Sequence, residues 1–129
     1  MRTFRLFALP ALLIFASAFA PALPPEFKFT ETKHNFGFIR QGEIVSHEFT
    51  FTNTGDEPLL ITEAEVTCIC TTVEFPKQPI PKGQGGKIKV TFDSKSAIDR
   101  QERTVVLKSN ARNAPLTLTF KAVVLKKKD

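Results

Sequence analysis

The feature that most constrains the fold of this chain is an alternation of apolar and polar residues that returns several times between residues 45 and 124. In the clearest run, Phe49 and Phe51 alternate with Glu48 and Thr50. A period of two is typical of β-strands that bury one face. The same pattern returns further along the chain, and it predicts the following core residues: Phe49, Phe51, Ile88, Val90, Leu118 and Phe120.

About seven apolar runs of this kind follow one another, separated by turn-forming pairs such as Gly55-Asp56, Gly85-Gly86 and Ser109-Asn110. No stretch after residue 20 shows a convincing 3.6-residue apolar repeat. Short strands at close spacing in about a hundred residues are typical of two packed sheets. The sequence therefore predicts an all-β fold, an immunoglobulin-like β-sandwich of about seven strands.

The parity of the apolar residues changes once within the predicted strands. Ile61 is odd-numbered, whereas Val66 and the two cysteines that follow it are even-numbered. A regular strand would place these two sets on opposite faces. If both sets point inward, a bulge or a strand break must lie between Thr62 and Glu65. The alternative is that the cysteines face outward.

The N-terminus has the pattern of a secretory signal peptide. Arg2 and Arg5 precede an apolar run over residues 6–19, which ends in the small-x-small site Ala18-Phe19-Ala20. The run is shorter than the roughly 20 apolar residues that a membrane-spanning helix needs. We therefore expect export and cleavage after Ala20, with a retained N-terminal anchor as the alternative.

The predicted domain organisation follows from these boundaries. A signal peptide occupies residues 1–20, an extended and flexible proline-rich lead-in residues 21–25, the sandwich domain residues 26–125, and a basic tail residues 126–129. The signal peptide apart, nothing predicts a stable membrane span. The expected location is the periplasm or the cell exterior.

Composition narrows the function classes. The net charge is +5, and the basic residues do not cluster with aromatic ones, so a nucleic-acid surface is not expected. The chain has 13 Phe but neither Trp nor Tyr, which favours core filling over a sugar-binding platform. It also has no nucleophile elbow, no phosphate-binding loop and no HExxH motif. The sequence therefore predicts a protein that is not an enzyme and needs no cofactor.

Cys68 and Cys70 are the two cysteines of the chain. In an extended strand their Cα atoms would be roughly 6.6 Å apart, at the upper limit for a disulfide, and the β-branched Ile69 favours that extended form. Three interpretations stay open. The cysteines are free thiols packed as small apolar residues, a strained and labile disulfide, or a soft-metal or redox site suited to Cu(I).

The two histidines give a weaker signal. His47 has the inward parity of Phe49, which favours a core or edge histidine, and His34 reads as a turn residue at the start of a strand. Structural zinc needs four ligands, and the spacing of the histidines relative to Cys68 and Cys70 matches no zinc motif. Asp56-Glu57 is an acidic pair in a predicted turn, where solvation is expected.

An ordered series of short motifs resembles a known family. The series is Phe36-Gly37-x-Ile39-x-x-Gly42, Phe49-x-Phe51-x-Asn53-x-Gly55-x-x-Pro58-Leu59-x-Ile61, Thr67-Cys68-Ile69-Cys70-Thr71 and Pro79-Ile80-Pro81-x-Gly83-x-x-Gly86-x-Ile88-x-Val90-x-Phe92. It resembles the exported bacterial family called domain of unknown function fifteen seventy-three, over about residues 27–124. The resemblance implies an immunoglobulin-like sandwich similar to the Hydin and major-sperm-protein domains.

The chain departs from the family pattern in three places. Ile69 stands where the family usually has glycine between the cysteines, and Lys82-Gly83 replaces a Pro-Gly turn. A glycine that is common before the penultimate strand is replaced around Asp99-Arg100. The first departure bears on any chemistry of the cysteines, and the other two lie in turns.

These observations predict an exported, non-enzymatic immunoglobulin-like module of the bacterial cell envelope. It would bind another envelope or secreted protein through a strand edge or a sheet face. The alternative is a copper-binding or thiol redox protein that uses Cys68 and Cys70. A third interpretation is an assembly chaperone similar to the pilus chaperones, although those have two domains and this chain has room for one.

Overall fold

The computed structural model describes residues 10–11 and 21–128, and these residues form eight β-strands. In this part of the chain no helix is long and apolar enough to cross a membrane. The predicted signal peptide and its cleavage site lie, apart from residues 10–11, outside the described residues. The strands are β1 (Phe27–Phe29), β2 (Lys33–Arg40), β3 (Ile44–Asn53), β4 (Ile61–Val66), β5 (Thr71–Glu74), β6 (Gly85–Asp93), β7 (Asp99–Ser109) and β8 (Leu116–Leu125).

The strands form two four-stranded sheets with the orders β1-β3-β6-β5 and β2-β8-β7-β4. Neighbouring strands are antiparallel, except that β2 runs parallel to β8. The N-terminal strand is thus divided, with β1 on one sheet and β2 on the other. The predicted immunoglobulin-like β-sandwich is confirmed.

The core lies between the sheets, and the alternation in the sequence identifies it correctly. All six predicted core residues are buried, with at most 1% of the surface of each exposed. The Phe92 and Phe120 rings meet across the core with their centroids 5.4 Å apart, and they come from different sheets. Packing of this kind requires that both strands keep the predicted parity.

The parity change around residue 62 is a β-bulge, as predicted. Ile61 pairs with Ser109 and Glu63 pairs with Lys108, so Thr62 is the additional residue. The Thr62 hydroxyl donates a hydrogen bond of 3.1 Å to the carbonyl of Lys108. The bulge lies at the start of the predicted interval, and it returns the chain to a register in which Ala64 packs against the core.

One strand was missed by the sequence analysis. The chain leaves the second sheet after Val66, turns over residues 67–70, and enters the first sheet as the four-residue β5. Four residues are too few for an alternation to stand out from the flanking turns, so the sequence predicted about seven strands.

The proline-rich lead-in is fastened to the domain, in contrast to the flexible segment that we expected. The Leu23 carbonyl accepts a hydrogen bond of 3.0 Å from the backbone N–H of Asp56, and the Pro25 carbonyl accepts one of 2.8 Å from the N–H of Arg112. A Cβ atom at Gly55 would lie 2.0 Å from the Pro24 carbonyl oxygen. Glycine at position 55 therefore permits this close approach.

The strand registers give the sandwich two distinct ends. We call the end formed by residues 41–43, 67–70, 94–98 and 126–128 the crossover end, because the chain changes sheets there in three of these segments. The opposite end, formed by residues 21–25, 54–60, 75–84 and 110–115, is the lead-in end. The two ends differ sharply in the side chains they expose.

Candidate functional site

The two cysteines lie at the crossover end, in the turn between β4 and β5. Cys68 and Cys70 form a disulfide, and their Cα atoms are 5.1 Å apart. The backbone N–H of Thr71 donates to the Cys68 carbonyl at 3.1 Å, which closes the turn. The expectation of an extended strand, and with it the interpretation of free thiols, is wrong.

The physical reason is the change of sheet. The chain must reverse between two edge strands within four residues, so the backbone turns and the Cα separation falls into the range that disulfides need. Ile69 does not prevent this because its side chain is fully exposed at the tip of the turn. That the disulfide is easily reduced stays a prediction. While it is formed, the pair offers no thiolate to a soft metal.

The disulfide turn is joined to the core on its inner side. Cys70 packs against the hydrophobic core, and its carbonyl accepts a hydrogen bond of 2.9 Å from the N–H of Asp93 at the end of β6. Thr71, which follows it, is buried. The inner side of the turn is therefore fixed to the core, while Ile69 on its outer side is exposed to solvent.

Ser94 holds the other two turns of the crossover end together. This fully buried hydroxyl donates to the carbonyl of Glu43 at 2.7 Å and lies 3.2 Å from the carbonyl of Arg40. It also accepts a hydrogen bond of 3.0 Å from the N–H of Gly42. Sequence reasoning missed Ser94, because nothing in the local pattern distinguishes it from an ordinary turn serine.

Exposed apolar side chains are concentrated at the crossover end. Among the described residues eight large apolar side chains are exposed, and five of them lie in or next to the segments of this end. A sixth, Phe38, lies on β2 three residues before residue 41. The other two, Leu23 and Leu60, lie at the lead-in end. The six are Phe38, Ile44, Val66, Ile69, Ile98 and Leu125.

Basic residues surround part of this apolar surface. A surface depression beside the end of β8 is lined by Arg40, Gln41, Leu125 and the three lysines of residues 126–128. The predicted basic tail, as far as residue 128, thus forms one wall of the depression. The surface combines apolar contact area with positive charge.

The four edge strands of the two sheets differ in how well they are protected against pairing with a strand from another protein. β1 and β5 are too short to template a long partner strand, and β4 carries the bulge and two glutamates that Lys108 contacts, at 3.7 Å for Glu63 and 2.6 Å for Glu65. Such charges discourage strand addition. β2 is the longest edge strand, although its pairing with β8 shifts register between Asn35 and Phe38, and Phe38 is 75% exposed.

The histidines form a separate cluster on the flank of the sandwich. His34 belongs to β2 rather than to a turn, which corrects the prediction, and its ring stacks on that of half-buried His47 with a centroid distance of 3.6 Å. Nε2 of His47 lies 2.6 Å from Oε1 of Glu31. Burial lowers the pKa of His34, the charge of His47 lowers it further, and Glu31 acts in the opposite direction.

The acidic pair of the β3–β4 turn is not simply solvated. Asp56 accepts hydrogen bonds of 2.8 Å from the N–H of Leu23 and from Nζ of Lys82. These contacts hold the pKa of the Asp56 carboxyl below its usual range, with the Lys82 hydrogen bond as the larger cause. The Asp56 side chain therefore fastens the lead-in to the β3–β4 turn.

The divided N-terminal strand and the two-sheet order define a class of protein, the immunoglobulin-like β-sandwiches that include PapD-like domains. The ASH/PapD-like domain of human CEP192 has a TM-score of 0.62 at 10% identity, with 95% of this chain and 99% of that chain covered. The chain belongs to the family described as Protein of unknown function (DUF1573), whose model matches residues 27–124. The resemblance seen in the sequence is thus confirmed.

Two other solved structures share the fold. A protein of unknown function from Porphyromonas gingivalis W83 has a TM-score of 0.70 at 18% identity, covering 82% of this chain and 50% of that one. The secreted serine protease VesC from Vibrio cholerae has a TM-score of 0.62 at 13% identity, covering 81% and 24%. This chain therefore spans half or less of those two proteins, and the likeness concerns the fold alone. No curated protein matches the sequence.

Proposed function

We propose that this chain is an exported, non-enzymatic interaction module that binds another envelope or secreted protein through its crossover end. The concentration of five of the eight exposed large apolar side chains at that end carries the proposal. Exposed apolar patches on a small domain commonly mark binding surfaces, whereas scattered single residues do not.

The chemistry of the surface indicates the kind of partner segment. The exposed Leu125 is flanked by Arg40 and the three lysines of residues 126–128. Apolar side chains next to carboxylates would complement this surface, because contact area stabilises the complex and charge steers the encounter. The partner is therefore an exported protein with an apolar segment flanked by acidic residues.

The rigidity of the crossover end supports the same proposal. Ser94 ties the β2–β3 turn to the β6–β7 loop, and the disulfide holds the β4–β5 turn. A surface that is already ordered loses less conformational entropy when a partner binds. The exposed Phe38 on the edge of β2 extends the apolar surface.

Site-specific photo-crosslinking in the native host tests the binding surface. A photoreactive phenylalanine analogue placed at Ile69 or at Ile98 should form an adduct with one and the same exported partner. The same analogue at Leu23 and Leu60, which are also exposed apolar positions, provides the matched control at the lead-in end. Equal labelling from both ends, or no adduct from the crossover end, would contradict the proposal.

Export is tested separately by N-terminal sequencing of the native protein from fractionated cells. The Ala18-Phe19-Ala20 site leads us to expect Pro21 as the first residue of a periplasmic or extracellular protein. Recovery of the intact N-terminus in the cytoplasmic fraction would refute export.

A further inference from the structure

We infer that Glu31, His34 and His47 form a binding site for a divalent transition-metal ion such as Zn²⁺. Their candidate ligand atoms, one carboxylate oxygen and one imidazole nitrogen from each histidine, all lie within 4.8 Å of one another. This cluster is separate from the disulfide and from the crossover end, and it does not depend on the proposed function.

The ligand set matches the chemistry of such ions. Two imidazoles and one carboxylate are a known set for zinc sites that keep a further position for water. Imidazole also selects transition ions over Ca²⁺ and Mg²⁺, which prefer oxygen ligands. Glu31 has a side chain that is 48% exposed, so the site is open to solvent on that side.

The fold brings the three residues together from separate parts of the chain. His34 lies on β2 in one sheet, His47 lies on β3 in the other, and Glu31 lies in the bend where the chain passes from β1 to β2. A metal ion at this position would join the two sheets at the flank of the sandwich.

The surroundings restrict how the histidines can move. The Phe36 ring packs edge-on against His34 at 4.6 Å, and the Phe49 ring packs edge-on against His47 at 4.7 Å. Both histidines are half-buried on strands, so their backbones are already in place and only the rings must turn when a ligand binds. Glu31 already meets His47, with 2.6 Å between Oε1 and Nε2.

Metal binding requires a small rearrangement of the side chains. Two ligand atoms of a tetrahedral zinc are about 3.3 Å apart, from metal–ligand distances near 2.0 Å. The stacked rings have nearly parallel planes, at 9° to each other, so their lone pairs must turn toward a common point. Rotation about the Cβ–Cγ bond of histidine provides this movement, because that torsion is broad.

Isothermal titration with Zn²⁺ alone tests the site, on full-length protein made without a histidine tag and kept under non-reducing conditions. We expect one Zn²⁺ per chain. His34→Gln and His47→Gln should each weaken the affinity for Zn²⁺ by at least about 100-fold. Mutation of residues that only hydrogen-bond to metal ligands typically lowers metal affinity 10- to 100-fold, and loss of a ligand itself costs more.

Two control variants separate this site from other carboxylates and from the cysteines. Glu31→Gln should weaken binding, whereas Glu48→Gln, which removes an exposed carboxylate of β3 that meets Lys87, should leave it unchanged. The double variant Cys68→Ser, Cys70→Ser should also bind Zn²⁺ as the parent does. Binding lost only in the cysteine variant would overturn the inference.

NMR of the imidazole rings gives a second measurement that does not depend on variants folding. The chain has two histidines, so its histidine ring signals come from the proposed ligands alone. Zn²⁺ should shift the signals of both rings at one equivalent. Ring signals that stay unchanged at saturating Zn²⁺, or an affinity that survives both histidine substitutions, would refute the site.

Discussion

Replacement of Asn53 by alanine should destabilise the domain as much as the loss of a large core side chain. Asn53 is fully buried, and its amide nitrogen donates to the carbonyls of Glu57 at 2.8 Å and Ile80 at 2.9 Å. Its amide oxygen accepts from the N–H of Gly55 at 3.0 Å and of Glu26 at 3.3 Å. One side chain thus joins the residue that follows the lead-in, the β3–β4 turn and the segment before β6.

The magnitude follows from what the substitution leaves behind. The buried N–H of Gly55 is left without a hydrogen bond, which costs about 1–3 kcal/mol. The Ile80 carbonyl keeps its hydrogen bond of 2.9 Å from the N–H of Leu59, so loss of the Asn53 bond there costs only the usual net value of about 0.5–1.5 kcal/mol. The partners on Glu57 and Glu26 are partly buried, so water replaces part of those bonds. Together these costs amount to about 2–5 kcal/mol, a large part of the 5–15 kcal/mol that typically stabilises a domain.

Urea denaturation under non-reducing conditions measures this loss. Far-UV circular dichroism is the appropriate signal, because the chain has no Trp or Tyr for fluorescence. Asn35→Ala is the matched control, since Asn35 is exposed and its side chain accepts one local hydrogen bond, from Gly37 at 2.9 Å. A free energy of unfolding that falls equally in Asn53→Ala and Asn35→Ala would refute the reasoning. The near-isosteric Asn53→Asp, which loses both donors, should also be strongly destabilising.

Three further predictions concern the core, acid stability and a backbone position. Phe51→Ala should lower the free energy of unfolding by about 3–5 kcal/mol, from lost burial and a cavity; an unchanged urea midpoint would contradict the assigned parity. The lowered pKa of Asp56, caused first by Lys82 and then by the N–H of Leu23, contributes stability above the ordinary carboxyl value of 3.8 that is lost as the pH falls below it. Asp56→Asn should therefore flatten the acid side of a stability–pH curve, and a parallel curve would show that the contacts contribute nothing. Asp99→Gly should stabilise the protein by up to about 1 kcal/mol, since Asp99 has a φ of 65°; a lower melting temperature would argue against strain at that residue.

The sequence predicted those parts of the fold that depend on near neighbours along the chain. The alternation around Phe49 and Phe51 identified the core face, because the side-chain period of a strand is a local property. The same parity argument predicted a bulge or a strand break between Thr62 and Glu65, and the bulge lies at Thr62. The family pattern also marked the Asp99 region as a place where glycine is usual, and Asp99 adopts the backbone conformation that glycine favours.

Features that depend on distant parts of the chain were not predicted. The Cys68–Cys70 turn forms because β4 and β5 belong to different sheets, and no local pattern encodes that change. His34 and His47 meet because the divided N-terminal strand places β2 opposite β3. Asn53 appeared in the sequence only as one position of the family motif, whereas its hydrogen-bond partners extend from Glu26 to Ile80.

The fastening of the lead-in has a consequence for how the domain is presented. Leu23 is bound to the β3–β4 turn, and in the described chain Pro21 and Ala22 are the two exposed residues directly before it. With Ala20, three residues separate the predicted apolar run from Leu23, and three extended residues reach about 10 Å. If an apolar N-terminal segment were retained in a membrane, so short a tether would hold the lead-in end close to the lipid surface. The crossover end would then face away from the membrane. A cleaved protein would instead diffuse freely, and its crossover end could meet a partner in any orientation.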